Sequence, residues 1–271
     1  MGIWRDYDRK IQDAEKLANI NIVLSAYGSV LAPIAYTSLP ITSGRRFYEV
    51  LEKYGVNSIE GLAEKNPDAL YIEIIKPNIA EGTEFAKTVT ARTKLTVIAP
   101  CIFEAKKQRW SQDEYMYMWL NLIENRVEEM HMMHGWEYSN GGTEEFLRGM
   151  ELLFGFGCEQ RNVHVFDHTG AKLSVEHGMK LIVDAIIALH KRGFSTANLS
   201  KMADKLYCMS GFFMDYMTSR EEWLHGNRFY VADWSEIHRL FDLIKNIDKR
   251  SYLSEKSPAC TFGPSELSVA S

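Results

Sequence analysis

The chain has 271 residues, of which 46% are hydrophobic and 25% are charged, and its formal net charge is −5. This composition is typical of a globular protein, and the lack of any apolar run of about 18 residues, together with a charged N-terminus, predicts a cytoplasmic protein without a membrane partner. The negative balance and the four widely spaced cysteines disfavour a nucleic-acid partner, a zinc site and a disulfide framework.

The N-terminal part of the chain is predicted to be helical and then to enter a sheet. Apolar residues recur near helical spacing over residues 3–20, so we assign residues 1–29 to an N-terminal helical segment. The segment PIAYTSLPI, residues 33–41, predicts the first strand. It ends in the polar turn TSGRR, which leads into a helical pattern over residues 46–55. The predicted order is therefore strand, glycine turn and helix.

Strands and helices continue to alternate along the central part of the chain. A helix, a strand, a capped helix and a weak strand are predicted over residues 81–91, 94–104, 111–127 and 128–136. A glycine-containing loop and another helix follow, and then a strand and a long helix over residues 162–167 and 174–193. This alternation predicts an α/β fold with a doubly wound parallel sheet over residues 30–193. In that class, ligands bind beyond the carboxyl ends of the strands.

The C-terminal part of the chain is predicted to be a helical extension. Residues 194–255 are rich in methionine and aromatic residues, a composition typical of a buried core or a subunit contact. If it forms a subunit contact, the extension serves oligomerisation. Residues 256–271 have the composition of a disordered tail.

The segment SNGGTEEF, residues 139–146, contains the strongest candidate site. In a structural interpretation, Ser139 or Asn140 caps the following helix, the glycines make the turn, and Glu144 and Glu145 complement the helix dipole. In a chemical interpretation, the glycine-lined loop lets a small substrate approach the backbone beside an ionised carboxylate. The positive end of the helix is expected to give Glu145 a pKa that favours the anion.

Two segments resemble motifs of the nucleoside 2-deoxyribosyltransferase superfamily. The segment YTSLPITSGRR, residues 36–46, is similar to the motif in which a tyrosine of the first strand leads to a small, glycine-containing turn. The segment SNGGTEEF is similar to the motif in which Asp or Ser precedes a glycine by two positions and the catalytic Glu by six. Ser139, Gly141 and Glu145 fit that spacing. The superfamily includes 2'-deoxynucleoside 5'-phosphate N-hydrolases, whose members have Ser at this position and bind phosphate with the first-strand turn.

The resemblance implies a Rossmann-like fold, catalytic sites completed across the interface of a homodimer or higher homo-oligomer, and a small-molecule nucleotide or nucleoside as substrate. It implies no metal and no redox cofactor. Glu145 would be the carboxylate nucleophile, and Tyr36 would orient it by hydrogen bonding. Substrate binding is assigned to the two motif loops, with the residues Ser38, Ile41, Thr42, Ser43, Gly44, Arg45, Ser139, Asn140, Gly141 and Gly142.

The chemistry leaves several roles open. Cleavage of an N-glycosidic bond has an oxocarbenium-like transition state, so a carboxylate can either form a glycosyl-enzyme or stabilise the positive charge. Glu144 competes for this role but is expected to face solvent. The leaving base needs a proton, for which Asp113 is the first candidate and Glu114 the second, although each can simply be a helix-start carboxylate. Tyr36 can equally be a core aromatic.

The histidines and tryptophans allow further interpretations. His131 and His134 lie three positions apart in a predicted strand and so face opposite sides, which disfavours their sharing a metal ion. Trp110 and Trp136 flank the predicted cleft and can stack on a base or serve packing alone. The leading hypothesis is N-glycosidic cleavage. A non-catalytic nucleotide-binding sensor or scaffold and an NAD glycohydrolase are the alternatives.

Overall fold

A computed structural model describes Tyr7, Lys10, Ile11 and Arg239 together with residues 13–29, 33–103, 110–153 and 162–218. For Glu176 and residues 210–218 it describes the backbone but not the side chains. The predicted tail and most of the predicted helical extension beyond residue 218 lie outside these residues.

One sheet forms the centre of the described structure. Its strands are β1 Ile34–Ser38, β2 Thr96–Ile98, β3 Val127–Met132, β4 Asn162–Phe166 and β5 Lys172–Leu173. Within the described residues the sheet has five strands in the order β2-β1-β3-β4-β5, and every pair is parallel except β4 with β5. The predicted α/β class with a mostly parallel sheet is therefore confirmed.

Helices cover both faces of this sheet. They are α1 Ala14–Gly28, α2 Arg45–Tyr54, α3 Ile59–Lys65, α4 Lys76–Arg92, α5 Gln112–Arg126, α6 Asn140–Leu153, α7 Val175–Lys191 and α8 Ala197–Thr218. A π-helix and two 3₁₀ turns occupy Leu70–Ile75, Pro100–Phe103 and Trp136–Tyr138. On one face α4 packs against β1 and β2, while α5, α6 and α7 pack against β3 and β4 on the other. In the part of the chain that the structure describes, no helix combines the length and apolar character needed to cross a membrane.

The differences from the predicted elements have local causes. The part of the predicted N-terminal helix before residue 13 lies mostly outside the described residues. A helix begins at Ala14, where the Asp13 carboxylate caps it by accepting from the amides of Glu15 and Lys16. The second strand ends at Ile98 because a 3₁₀ turn begins at Pro100. The antiparallel strand β5 was not predicted, since a two-residue strand leaves no alternating pattern to detect.

Candidate active site

Glu145 lies near the start of α6, with its side chain buried against the carboxyl end of β1. Its Oε1 atom accepts a hydrogen bond from the Tyr36 hydroxyl at 2.7 Å, and its Oε2 atom accepts one from the Ser38 hydroxyl at 2.5 Å. Tyr36 and Ser38 are two positions apart on one strand, so their side chains point to the same face of the sheet. Both interpretations of Tyr36 therefore hold, since it is a fully buried core aromatic and also orients the carboxylate.

Burial determines the protonation of this carboxyl group. Desolvation raises the pKa of Glu145 to about 7, although the hydrogen bonds from Ser38 and Tyr36 oppose the rise. The expectation that the pKa of Glu145 favours the anion is wrong, because burial raises this pKa more than the two donors lower it. Burial, and then the neighbouring Glu145 charge, raise the pKa of Tyr36 well above its ordinary range, which keeps its hydroxyl protonated. Near neutral pH, Glu145 is divided between acid and anion.

A cavity of about 390 Å³ opens beside Glu145. This volume is within the range of small-molecule sites in proteins. Predicted residues of both motif loops line it, namely Ile41, Thr42, Ser43, Ser139, Gly141 and Gly142. The remainder is lined by aliphatic residues, by Cys101, Met116 and Gln112, and by four aromatic side chains. The aromatic side chains are Tyr71, Trp110, Tyr115 and Trp119. The cavity thus combines one carboxyl group with flat apolar surfaces.

The position of this cavity follows from the order of the strands. The connection from β1 leads to β2 on one side, while the connection from β3 leads to β4 on the other. The loops that follow β1 and β3 therefore diverge and leave a crevice between them at the carboxyl ends of the strands. Ligands of open α/β sheets bind at such a point.

Ser139 connects the two loops that line the cavity. Its hydroxyl oxygen accepts hydrogen bonds from the Ser43 hydroxyl at 2.9 Å and from the amide of Gly142 at 3.2 Å. The second bond makes Ser139 the cap of α6, so the structural interpretation of the motif is correct for this residue. The same side chain fixes the distance between the β1 turn and the glycine loop.

Asn78 also holds the β1 turn in place, and the sequence patterns gave no sign of this role. Its side-chain amide donates to the carbonyls of Ile41 at 3.0 Å and Ser43 at 3.3 Å, and its Oδ1 accepts from Arg46 Nε at 3.0 Å. Asn78 is buried although it belongs to α4. Asparagine is seldom buried inside a helix, so its burial in the folded structure is what identifies this role.

Six predicted site residues lie outside the described cavity lining, and two of them, Tyr36 and Ser38, hold Glu145 by hydrogen bonds. The other four do not contact Glu145 through any hydrogen bond of the described structure. Gly44 is the N-cap residue that precedes α2, and Arg45 pairs at the surface with Glu49 at 2.8 Å. Asn140 is exposed. Asp113, the first candidate for the general acid, lies at the surface and pairs with Lys10 at 3.2 Å.

Glu114 and Glu144 also have structural partners. Glu114 forms a capping box with Ser111 at the start of the predicted capped helix, and it pairs with Lys16 at 2.9 Å. Glu144 does not face solvent as expected, because it is partly buried and accepts a hydrogen bond from Tyr7. Neither residue lines the cavity, so among the described lining residues Glu145 is the one carboxylate.

The two tryptophans have different positions. Trp110 lines the cavity, where its ring is available for stacking. Trp136 is fully buried and packs on Phe146 with ring centroids 4.5 Å apart. The packing interpretation is therefore correct for Trp136.

Comparison with protein-family models, with curated proteins and with solved structures finds no match to this chain. An assignment of function therefore rests on the chemistry of the cavity and on the two short motifs. Glu145 has the clearest chemical meaning, since a carboxylate that serves packing alone is rarely buried without a cationic partner. Its hydrogen-bond partners in the described structure are two neutral hydroxyls.

Proposed function

We propose that this protein cleaves the N-glycosidic bond of a nucleotide or nucleoside with Glu145 as the nucleophile. The observation that carries the proposal is a buried carboxylate, held through both oxygens by Tyr36 and Ser38, at the wall of a cavity of about 390 Å³. The two motif resemblances to the nucleoside 2-deoxyribosyltransferase superfamily support the same reaction and a Rossmann-like form of the fold. The aromatic walls offer the flat surfaces that a nucleobase needs.

In the proposed reaction, the Glu145 anion approaches the anomeric carbon as the bond from that carbon to the base nitrogen breaks. The electron pair of the broken bond leaves with the base, and the positive charge that develops on the sugar is stabilised by the carboxylate. Tyr36 and Ser38 keep the carboxylate from rotating, so its geometry is set before the substrate binds. Water or a second base then releases the sugar, which gives hydrolysis or transfer respectively.

The leaving base limits the choice of substrate. A neutral purine or pyrimidine nucleoside releases its base as an anion unless an acid protonates it, and the described lining residues contain no second carboxylate. The nicotinamide of NAD is already cationic and leaves as a neutral molecule, so it needs no proton. This chemistry favours a dinucleotide such as NAD within the proposed class.

The same observation favours a second candidate function, that of a non-catalytic nucleotide-binding sensor or scaffold. A cavity without a facing acid can bind a nucleotide and leave its bond intact. The helices beyond the sheet would then transmit or receive the signal through a partner protein.

Release of free base from a substrate panel tests these alternatives. The panel contains nucleosides, nucleoside 5'-monophosphates and NAD, and the product is separated by chromatography. We expect base release from at least one member. Binding of a panel member without release of its base would instead support the sensor.

The rate of base release is expected to increase with pH through about 7. The nucleophile must be the anion, and the pKa of Glu145 in the free protein is about 7, so kcat/KM should have an ascending limb at that pH. Hydrogen bonds from Ser38 and Tyr36 lower this pKa, so Ser38→Ala and Tyr36→Phe should each move the limb to higher pH. A limb that stays in place in both variants would contradict the assignment of Glu145.

A further inference from the structure

A second group of reactive side chains lies on the face of the sheet opposite Glu145. Glu129 and His131 are two positions apart on β3, and His164 is aligned with His131 on the neighbouring parallel strand β4. Strand alternation places these three side chains on one face. Tyr36 is aligned with Met130 and therefore points to the other face. The group is thus separate from the proposed active site.

The potential ligand atoms of these residues converge. The Oε2 atom of Glu129 lies 3.3 Å from Nε2 of His131 and 3.8 Å from Nε2 of His164. One ligand atom from each of the three residues lies within 4.8 Å of the others. A tetrahedral Zn²⁺ ion with bonds of about 2.0–2.1 Å holds its ligand atoms about 3.3–3.4 Å apart. A single ion therefore fits among them after small side-chain movements.

Both histidines present a ring nitrogen to the carboxylate of Glu129. The Nε2 atom of each ring is the one that approaches Oε2 of Glu129. An imidazole nitrogen is the commonest metal ligand among protein side chains.

The surroundings would hold the two rings in place and leave an entry path. The ring of His131 stacks on Phe166 with centroids 6.0 Å apart, and Phe166 in turn contacts Phe85 of α4. The side chains of Glu129 and His164 are 27% and 18% exposed, so an ion can reach the group from solvent. Lys172 on β5 is the nearby cation that acts on both rings, and it opposes the binding of a further positive charge.

We propose that Glu129, His131 and His164 bind a divalent transition-metal ion, with Zn²⁺ as the best fit to two imidazoles and one carboxylate. Water completes the fourth tetrahedral position. The ion joins β3 to β4 on the face remote from Glu145. Mg²⁺ is a poor occupant, because it requires oxygen ligands in octahedral geometry.

The test is a Zn²⁺ titration of the full chain after removal of metal with a chelator, read by competition with a chromophoric chelator. We expect one Zn²⁺ per chain at micromolar affinity or tighter, and no competition from Mg²⁺. Glu129→Gln, His131→Ala and His164→Ala should each weaken binding at least about tenfold. His190→Ala is the matched control, because His190 is exposed on α7 and should leave the affinity unchanged.

Three further measurements keep the result interpretable. Lys172→Gln removes the opposing charge and should tighten Zn²⁺ binding, while circular dichroism shows whether each variant is folded. Co²⁺ in place of Zn²⁺ should give the intense visible absorption of a four-coordinate ion in the wild type but not in Glu129→Gln, which preserves side-chain shape. Wild-type affinity no tighter than that of folded His164→Ala would overturn the proposal. No substrate is involved, so the result is independent of the proposed glycosidase activity.

Discussion

Glu145→Gln is expected to lower base release by at least about 10³-fold, which corresponds to about 4 kcal/mol of lost transition-state stabilisation. The amide has nearly the shape of the carboxyl group but no negative charge, so it can neither attack the anomeric carbon nor stabilise an oxocarbenium ion. The measurement is kcat/KM on whichever panel member releases its base. Full activity in this variant would refute the role assigned to Glu145.

Glu144→Gln is the matched control for this substitution. Glu144 is the adjacent carboxyl group, accepts a hydrogen bond from Tyr7 and does not line the cavity, so its loss should leave base release close to that of the wild type. Its negative charge contributes to the raised pKa of Glu145. The variant should therefore move the ascending pH limb slightly downward. Equal losses in both variants would indicate damage to the start of α6 rather than loss of a nucleophile.

The same carboxyl group links activity to stability. The pKa of Glu145 rises from an ordinary 4.5 to about 7 on folding, so its contribution to stability is complete below pH 4.5 and is lost as the pH rises through about 7. The difference corresponds to about 3 kcal/mol above that range. Glu145→Gln stays neutral and should be at least as stable as the wild type in urea unfolding at pH 8, with a smaller advantage at pH 5. A variant that gains stability while losing activity would indicate that the buried charge is retained for chemistry.

Sequence patterns predicted the parts of the site that lie on regular elements. The order of strand, turn and helix placed Tyr36 and Ser38 at a strand end, and the spacing in the second loop placed Glu145 in the first turns of a helix. These features depend on local periodicity and on turn residues, which a single sequence contains. The pKa of Glu145 could not be predicted, because desolvation depends on packing between distant segments.

The histidine group shows a second limit of sequence patterns. The H-x-x-H spacing drew attention to His131 and His134, and the expectation that these two do not share a metal ion stays a prediction. The neighbour that matters for His131 is His164, thirty-three positions later, and it becomes a neighbour only through the register of β3 with β4. Register is set by tertiary packing and not by local sequence. Asn78 was missed for the same reason, because its partners are 35 and 37 positions away.

Gly44→Ala is expected to destabilise the protein by about 3 to 5 kcal/mol and to distort the cavity. Gly44 has φ of 85° and ψ of −175°, a conformation that is essentially restricted to glycine. An added Cβ would also lie 2.5 Å from Cβ of Pro40, so the turn that carries Ser43 would have to move. Ser43 would then separate from Ser139, and base release should decrease along with stability.

Gly55→Ala separates the effect of backbone conformation from that of the steric clash. Gly55 ends α2 with φ of 65°, and an added Cβ there meets nothing within 4 Å, so the cost should be the left-handed conformation alone, about 1–2 kcal/mol. Urea unfolding of the two variants gives the difference directly, and base release should decrease only in Gly44→Ala. Equal destabilisation would mean that Pro40 yields to the added methyl group. The turn between β1 and α2 would then be able to adapt to a ligand, and its conformation would not be fixed before the ligand binds.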